Sequence, residues 1–162
     1  MNLESAASFW VLRLLCGEDL PAIAVDALEA GVDTPALRIL AGERDPDVGE
    51  LERLFLNALE ESSLQLPTRP EAFRNAAKYY AEQILSGEWA PYRGAHAIWW
   101  ELCTLDDAPE SLMMFRGLAS EYEDFEYPAK HDAEAGMILW EIERQIVAEA
   151  RSILGSSPKS SE

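Results

Sequence analysis

Glycine and proline fall in this chain where helices begin and end, and nothing between them has the pattern of a strand. Glycine tolerates the left-handed conformation that closes a helix, and proline is favoured in a first helical turn because its missing N–H would be unpaired there anyway. Pro21, Pro35, Pro70, Pro91, Pro109 and Pro128 open segments, and Gly17, Gly31, Gly42 and Gly87 close them. No run of four or more residues alternates apolar and polar with β-branched enrichment. The class is therefore all-α: an irregular bundle of about seven or eight helices with an N-terminal αα-hairpin. A helical-repeat arrangement is the alternative, although no period of about 33 to 45 residues recurs.

The pattern predicts a core helix from about Glu4 to Cys16 stopped by Gly17, then two short helices, one from Asp19 to Gly31 and one from Thr34-Pro35 to Gly42. After Arg44-Asp45-Pro46 a fourth runs from Asp47 to about Leu64, with Val48, Leu51, Phe55, Ala58 and Leu59 on one face. The stretch from Leu66 to Pro70 is the best linker. The clearest stripe comes next, Phe73, Ala76, Ala77, Tyr80, Ala81 and Ile84, in a helix from Pro70 to Ser86. A helix from Pro91 carries Tyr92, Ala95, Ile98, Trp99 and Leu102, and another runs from Pro109 to about Tyr122. The last, from Pro128 to Leu154, should bury Ala135, Leu139, Ile142, Ile146 and Ile153. Residues 1–154 read as a single helical domain and 155–162, rich in serine, as a disordered tail.

The 162 residues carry 30 acidic and 13 basic side chains, a formal charge of -17. Such a field repels nucleic-acid phosphates and anionic lipid and steers basic partners inward. The acids form two blocks, 13 against 4 bases in residues 1–66 and 11 against 2 in residues 104–143, around a balanced, tryptophan-rich middle. The N-terminus has no basic leader, and its apolar run from Phe9 to Cys16 is short and broken by Arg13, so neither a signal peptide nor a membrane span is expected and the location expected is cytoplasmic. Cys16 and Cys103 lie far apart with no metal or redox spacing, and buried reduced thiols are the plain expectation.

The densest acidity is Glu121-Tyr122-Glu123-Asp124-Phe125-Glu126, four carboxylates interleaved with two aromatics. Carboxylates give charge-assisted bonds to Arg and Lys while aromatics give anchoring area, so these six residues, with Asp106, Asp107 and Trp100, form the candidate partner-binding set. The plainer reading is a solvated loop whose aromatics pin a helix end. Trp99 is expected inward and Trp100 toward a surface or interface. Residues 20–41 have the outline of a helix-turn-helix, yet Arg38 is the one basic residue there, so no direct nucleic-acid binding is expected; an αα-hairpin packing Ile23, Ala27, Leu37 and Leu40 is the ordinary account. His131, Asp132 and Glu134 sketch a weak cation site, but neither an EF-hand pattern nor a Glu-x-x-His pair is present, and no metal or cofactor is expected. His96 and Cys103, seven residues apart, are the one conceivable dyad; a histidine bonded at a helix interface is the commoner case.

Three stretches, Leu20 to Gly42, Tyr79 to Glu101 and Gly117 to Asp124, resemble a group of small acidic all-helical bacterial proteins with no activity to carry over. The resemblance implies a bacterial cytoplasmic protein and assigns no residue a role. Size and acidity are also similar to those of immunity proteins that neutralise basic toxins. The leading expectation is thus a non-enzymatic, immunity- or antitoxin-like module that binds a basic protein partner, such as a toxin, with no membrane involved. The alternatives are a nucleic-acid mimic that occupies a DNA-binding enzyme, and a small-ligand binder or enzyme around His96 and Trp99.

Overall fold

The computed structural model describes residues 1–43 and 47–155. The expected Arg44-Asp45-Pro46 connection and the expected tail, from Ser156 on, lie outside the described residues. Among the described residues there are eight α-helices and no strand. The chain divides into two compact units, Met1–Ala76 and the residues from Ala77 on, and the boundary falls inside the fifth helix.

The first unit holds α1 (Leu3–Val11), α2 (Leu20–Glu29), α3 (Pro35–Gly42), α4 (Val48–Glu61) and the start of α5 (Arg69–Leu85). Asn2, Thr34 and Asp47 cap α1, α3 and α4 by accepting N–H bonds from Ser5, Leu37 and Glu50, and Glu61 of α4 accepts the N–H of Ala36 in the first turn of α3 at 2.9 Å. The expected hairpin of α2 and α3 is present, turning at Gly31 with φ of 90° and burying Ile23, Ala27, Leu37 and Leu40 against Leu51, Phe55 and Leu59. Asn75 donates to the buried Ser8 hydroxyl at 3.2 Å, and Ser8 donates on to the Glu4 carbonyl, so this core hydroxyl is satisfied on both sides.

Helix α1 ends well before Gly17. Leu14 N–H bonds the Phe9 carbonyl and Arg13 N–H bonds that of Trp10, the double closure of a Schellman motif, with Arg13 itself left-handed at φ of 61°. Cys16 therefore lies beyond the helix and is exposed, against the expectation that both thiols are buried. Helix α4 ends the same way, with Leu64 N–H on the Leu59 carbonyl and Ser63 at φ of 56°. A side chain at such a position costs about 1–2 kcal/mol that glycine avoids, less the larger entropy glycine loses on folding. Ser63→Gly is expected to stabilise the chain by about 0.5–1 kcal/mol, read as a higher urea midpoint at unchanged slope; an unchanged or lower midpoint contradicts this.

The second unit contains the rest of α5, α6 (Pro91–Ala97), a π-helical turn over Ile98–Leu102, α7 (Met113–Glu126) and α8 (Ala133–Gly155). The expected α5 stripe from Phe73 to Ile84 is buried throughout, and the helix closes at Gly87 with φ of 79°. Gly94 of α6 lies so close to α5 that a Cβ there would stand 2.3 Å from Ile84 Cγ1. Helix α8 begins five residues later than expected, because Pro128–Lys130 winds as a 3-10 turn and Asp132 then accepts the N–H of Glu134. It buries Ala135, Ile142, Ile146 and Ala150, while Leu139 and Ile153 are half-buried.

Candidate functional site: an aromatic and carboxylate face

Tyr92 and His96 sit four residues apart on α6 and so project from one side of it; their rings are 5.7 Å apart. Two residues past His96, at Ile98, the helix widens. Cys103 N–H bonds back five residues to the Ile98 carbonyl at 3.0 Å instead of four. Ile98 and Leu102 stay buried across this wide turn, Trp99 is half-buried, and Trp100 is 64% exposed, as the sequence suggested for the two tryptophans. The Trp100 ring stacks on His96 at 6.1 Å and 11°, and Trp99 meets His96 edge-on at 5.9 Å.

Opposite them runs α7. It does not end at Tyr122 but continues to Glu126, so the acidic cluster is the last part of a helix and not the loop of the plainer reading. Leu118, Tyr122 and Phe125 succeed one another at helical spacing, which keeps the two aromatics half-buried and turns Glu121, Glu123, Asp124 and Glu126 outward. Tyr127, just before Pro128, ends the helix. Tyr122 stacks on Tyr92 at 4.3 Å and 14°. Glu123 accepts the Tyr92 hydroxyl at 2.9 Å and lies 3.8 Å from His96 Nε2. Burial first, and the Glu123 carboxylate second, push the Tyr92 phenol up to about 12. The Tyr122 phenol is raised as well, by burial and then by the charges of Glu143 and Glu126.

These contacts make α6 and α7 antiparallel. At the far end Cys103 Sγ donates to the Leu112 carbonyl at 3.4 Å. Fourteen residues of α7 separate the two ends by about 20 Å. The nine candidate residues thus divide. Trp100, reached through His96, keeps company with the Glu121 to Glu126 cluster, whereas Asp106 and Asp107, both exposed, sit in the turn at the opposite end of α7.

A polar contact that the sequence reading missed lies beside the wide turn. Tyr80 of α5, 3% exposed, donates its hydroxyl to Glu101. Trp89 packs on Tyr80 at 5.7 Å, and the Arg93 guanidinium covers Trp89 at 4.2 Å. Burial and the carboxylate hold the Tyr80 phenol protonated far above its ordinary range. The i to i+5 geometry brings Glu101 round to α5, and no local pattern in the sequence announces a π turn.

Cys103 is buried and burial pushes its thiol up to about 11, the opposite of what activates a nucleophile. Arg38 is bound by Asp33 through both Nε, at 2.6 Å, and Nη2, so the one base of the helix-turn-helix outline is neutralised by its own chain. Asp132 spends an oxygen on the α8 cap and His131 packs edge-on against Tyr127. Among the described residues no three or more His, Cys, Asp or Glu gather to hold a metal ion, and no helix is long and apolar enough to cross a membrane. Fold and site define an all-helical protein with one face on which a stacked aromatic group adjoins a carboxylate-bearing helix end. The chain matches no family model, no curated protein and no solved structure.

Proposed function

We propose that this chain is a non-enzymatic protein-binding module that engages a basic protein partner through the end of α7, in the manner of an immunity or antitoxin protein in a bacterial cytoplasm. The observation that carries the reading is the exposed Trp100, stacked on His96 next to Glu123, with Glu121, Asp124 and Glu126 exposed along the same helix end. A large, rigid aromatic beside outward carboxylates has the make-up of an interface anchor: the ring supplies area and the acids select Arg and Lys. The charge of -17 speeds the encounter and local carboxylates set the register. Asp106 and Asp107 add to the field and not to the contact.

The test separates local recognition from net charge. A fluorescent peptide rich in Arg and Lys is titrated at low salt against the wild type, Glu121→Lys/Asp124→Lys, and Glu29→Lys/Glu60→Lys, which changes the total charge equally in the first unit. The α7 reversal is expected to weaken binding about tenfold, roughly 1.4 kcal/mol, with little effect from the other pair. Trp100→Ala should weaken it too, and added salt should weaken all three. Equal losses from the two charge reversals, or binding indifferent to salt, overturn the proposal.

A further inference from the structure

In the first unit a groove of about 530 Å³ is lined by Trp10, Val11, Arg13, Leu15, Glu52 and Leu66. Its lining is mixed: on the apolar side Trp10 leans on the buried Phe55 ring at 5.6 Å and Leu66 is exposed. Two charges of opposite sign line it, and they do not pair with each other; the Arg13 and Glu52 side chains have no hydrogen bond or ion pair among the described residues. The carbonyl of Val11 is already taken by Arg69 at 3.3 Å, so the free polar groups offered are the guanidinium fork and the carboxylate. Arg13 is also, among the described residues, one of two non-glycine residues with positive φ. The conformation by itself selects nothing, since Ser63 shares it. Arg13 differs in that the strained residue lines a groove, and glycine, which the backbone prefers there, would leave the groove with no cation.

We propose that this groove binds a small apolar zwitterion, an amino acid or short peptide, with its carboxylate on Arg13, its ammonium on Glu52 and its side chain on Trp10, Leu15 and Leu66. Each charged group matches a ligand group that the other repels, and Arg takes a carboxylate in a two-pronged contact. The volume lies within the range of small-molecule sites, about 300–1,000 Å³.

The full-length chain is melted with L-phenylalanine or the dipeptide Leu-Phe, and with two half-ligands, phenethylamine without the carboxylate and hydrocinnamate without the ammonium. The zwitterions should raise Tm and move the Trp10 indole resonance, assigned with Trp10→Phe, and each half-ligand should do so far less. Arg13→Gly is the diagnostic variant. Relief of the left-handed strain should raise the ligand-free Tm by about 2–4 °C, while the zwitterion-induced rise disappears. Glu52→Gln should erase the advantage of phenylalanine over hydrocinnamate. The proposal is overturned if neither zwitterion exceeds the half-ligands, or if Arg13→Gly keeps the full ligand response.

Discussion

Gly94→Ala is expected to destabilise the protein by about 2 kcal/mol even though alanine is the better helix former. The helix-propensity gain is about 0.5–1 kcal/mol. Against it stands a Cβ 2.3 Å from Ile84 Cγ1 and 2.5 Å from Cδ1, on a fully packed face between α5 and α6. Inserting a methyl into such a contact typically costs about 1–3 kcal/mol, and this overlap lies at the severe end. Cγ1 is not a free end that swings aside, since Ile84 is buried. Ile84→Ala removes both clashing atoms and on its own costs about 2–4 kcal/mol as a cavity. In the double variant the new methyl enters that cavity, so the pair should be more stable than the sum of the single effects by about 1–2 kcal/mol. Urea unfolding of the four proteins reads this directly, and additive effects would show that the two helices do not meet there as described.

Tyr80→Phe should cost about 2 kcal/mol at neutral pH, because the bond lost runs to a carboxylate and leaves Glu101 without that donor. The same phenol shapes the alkaline limb of stability. Its folded pKa is raised above the ordinary value of 10.0, so the folded protein holds this proton more tightly than the unfolded chain does. Its contribution is complete below that value. As pH climbs past it, the unfolded tyrosine ionises while the folded one does not, and stability falls with pH. Tyr92 and Tyr122, shifted in the same direction, add smaller slopes. From pH 7 to 11 the wild type should lose stability progressively above about 10, and Tyr80→Phe should lose visibly less. Parallel curves for the two proteins would mean that the Tyr80 phenol is no better held in the fold than out of it.

The helices were legible because their stripes and punctuation act locally. Phe73 to Ile84 at helical spacing, Thr34-Pro35 as cap and first turn, and Gly31 in the left-handed region each report their own neighbourhood. The misplaced end of α1 is a local closure that carries no glycine signal. Arg13 makes that closure, while Gly17, read as the stop, instead leaves room for Val48, whose Cγ1 would be 2.9 Å from a Cβ there. The extension of α7 to Glu126 was visible in principle, since Leu118, Tyr122 and Phe125 continue one stripe; the density of carboxylates masks the spacing of the aromatics between them. Of the candidate site, the outward turn of Trp100 could be read from its place next to an inward Trp99. The separation of Asp106 and Asp107 from the cluster could not, because it depends on the antiparallel course of two helices.

The wide turn at Ile98 to Leu102 has a consequence for descent. A hydrogen-bonded ring that spans five residues where its neighbours span four holds one residue more than a plain α-helix. Loss of a single codon between Ile98 and Cys103 would restore the ordinary helix and leave the chain beyond the turn in nearly the same orientation, because the wide turn takes up the extra residue locally and only the side chains within it change direction. Kin that lack that codon should show altered partners for Tyr80 and no outward tryptophan on His96, two traits gained or lost in one event. A length difference of one at this place is therefore the trait by which to sort the lineage.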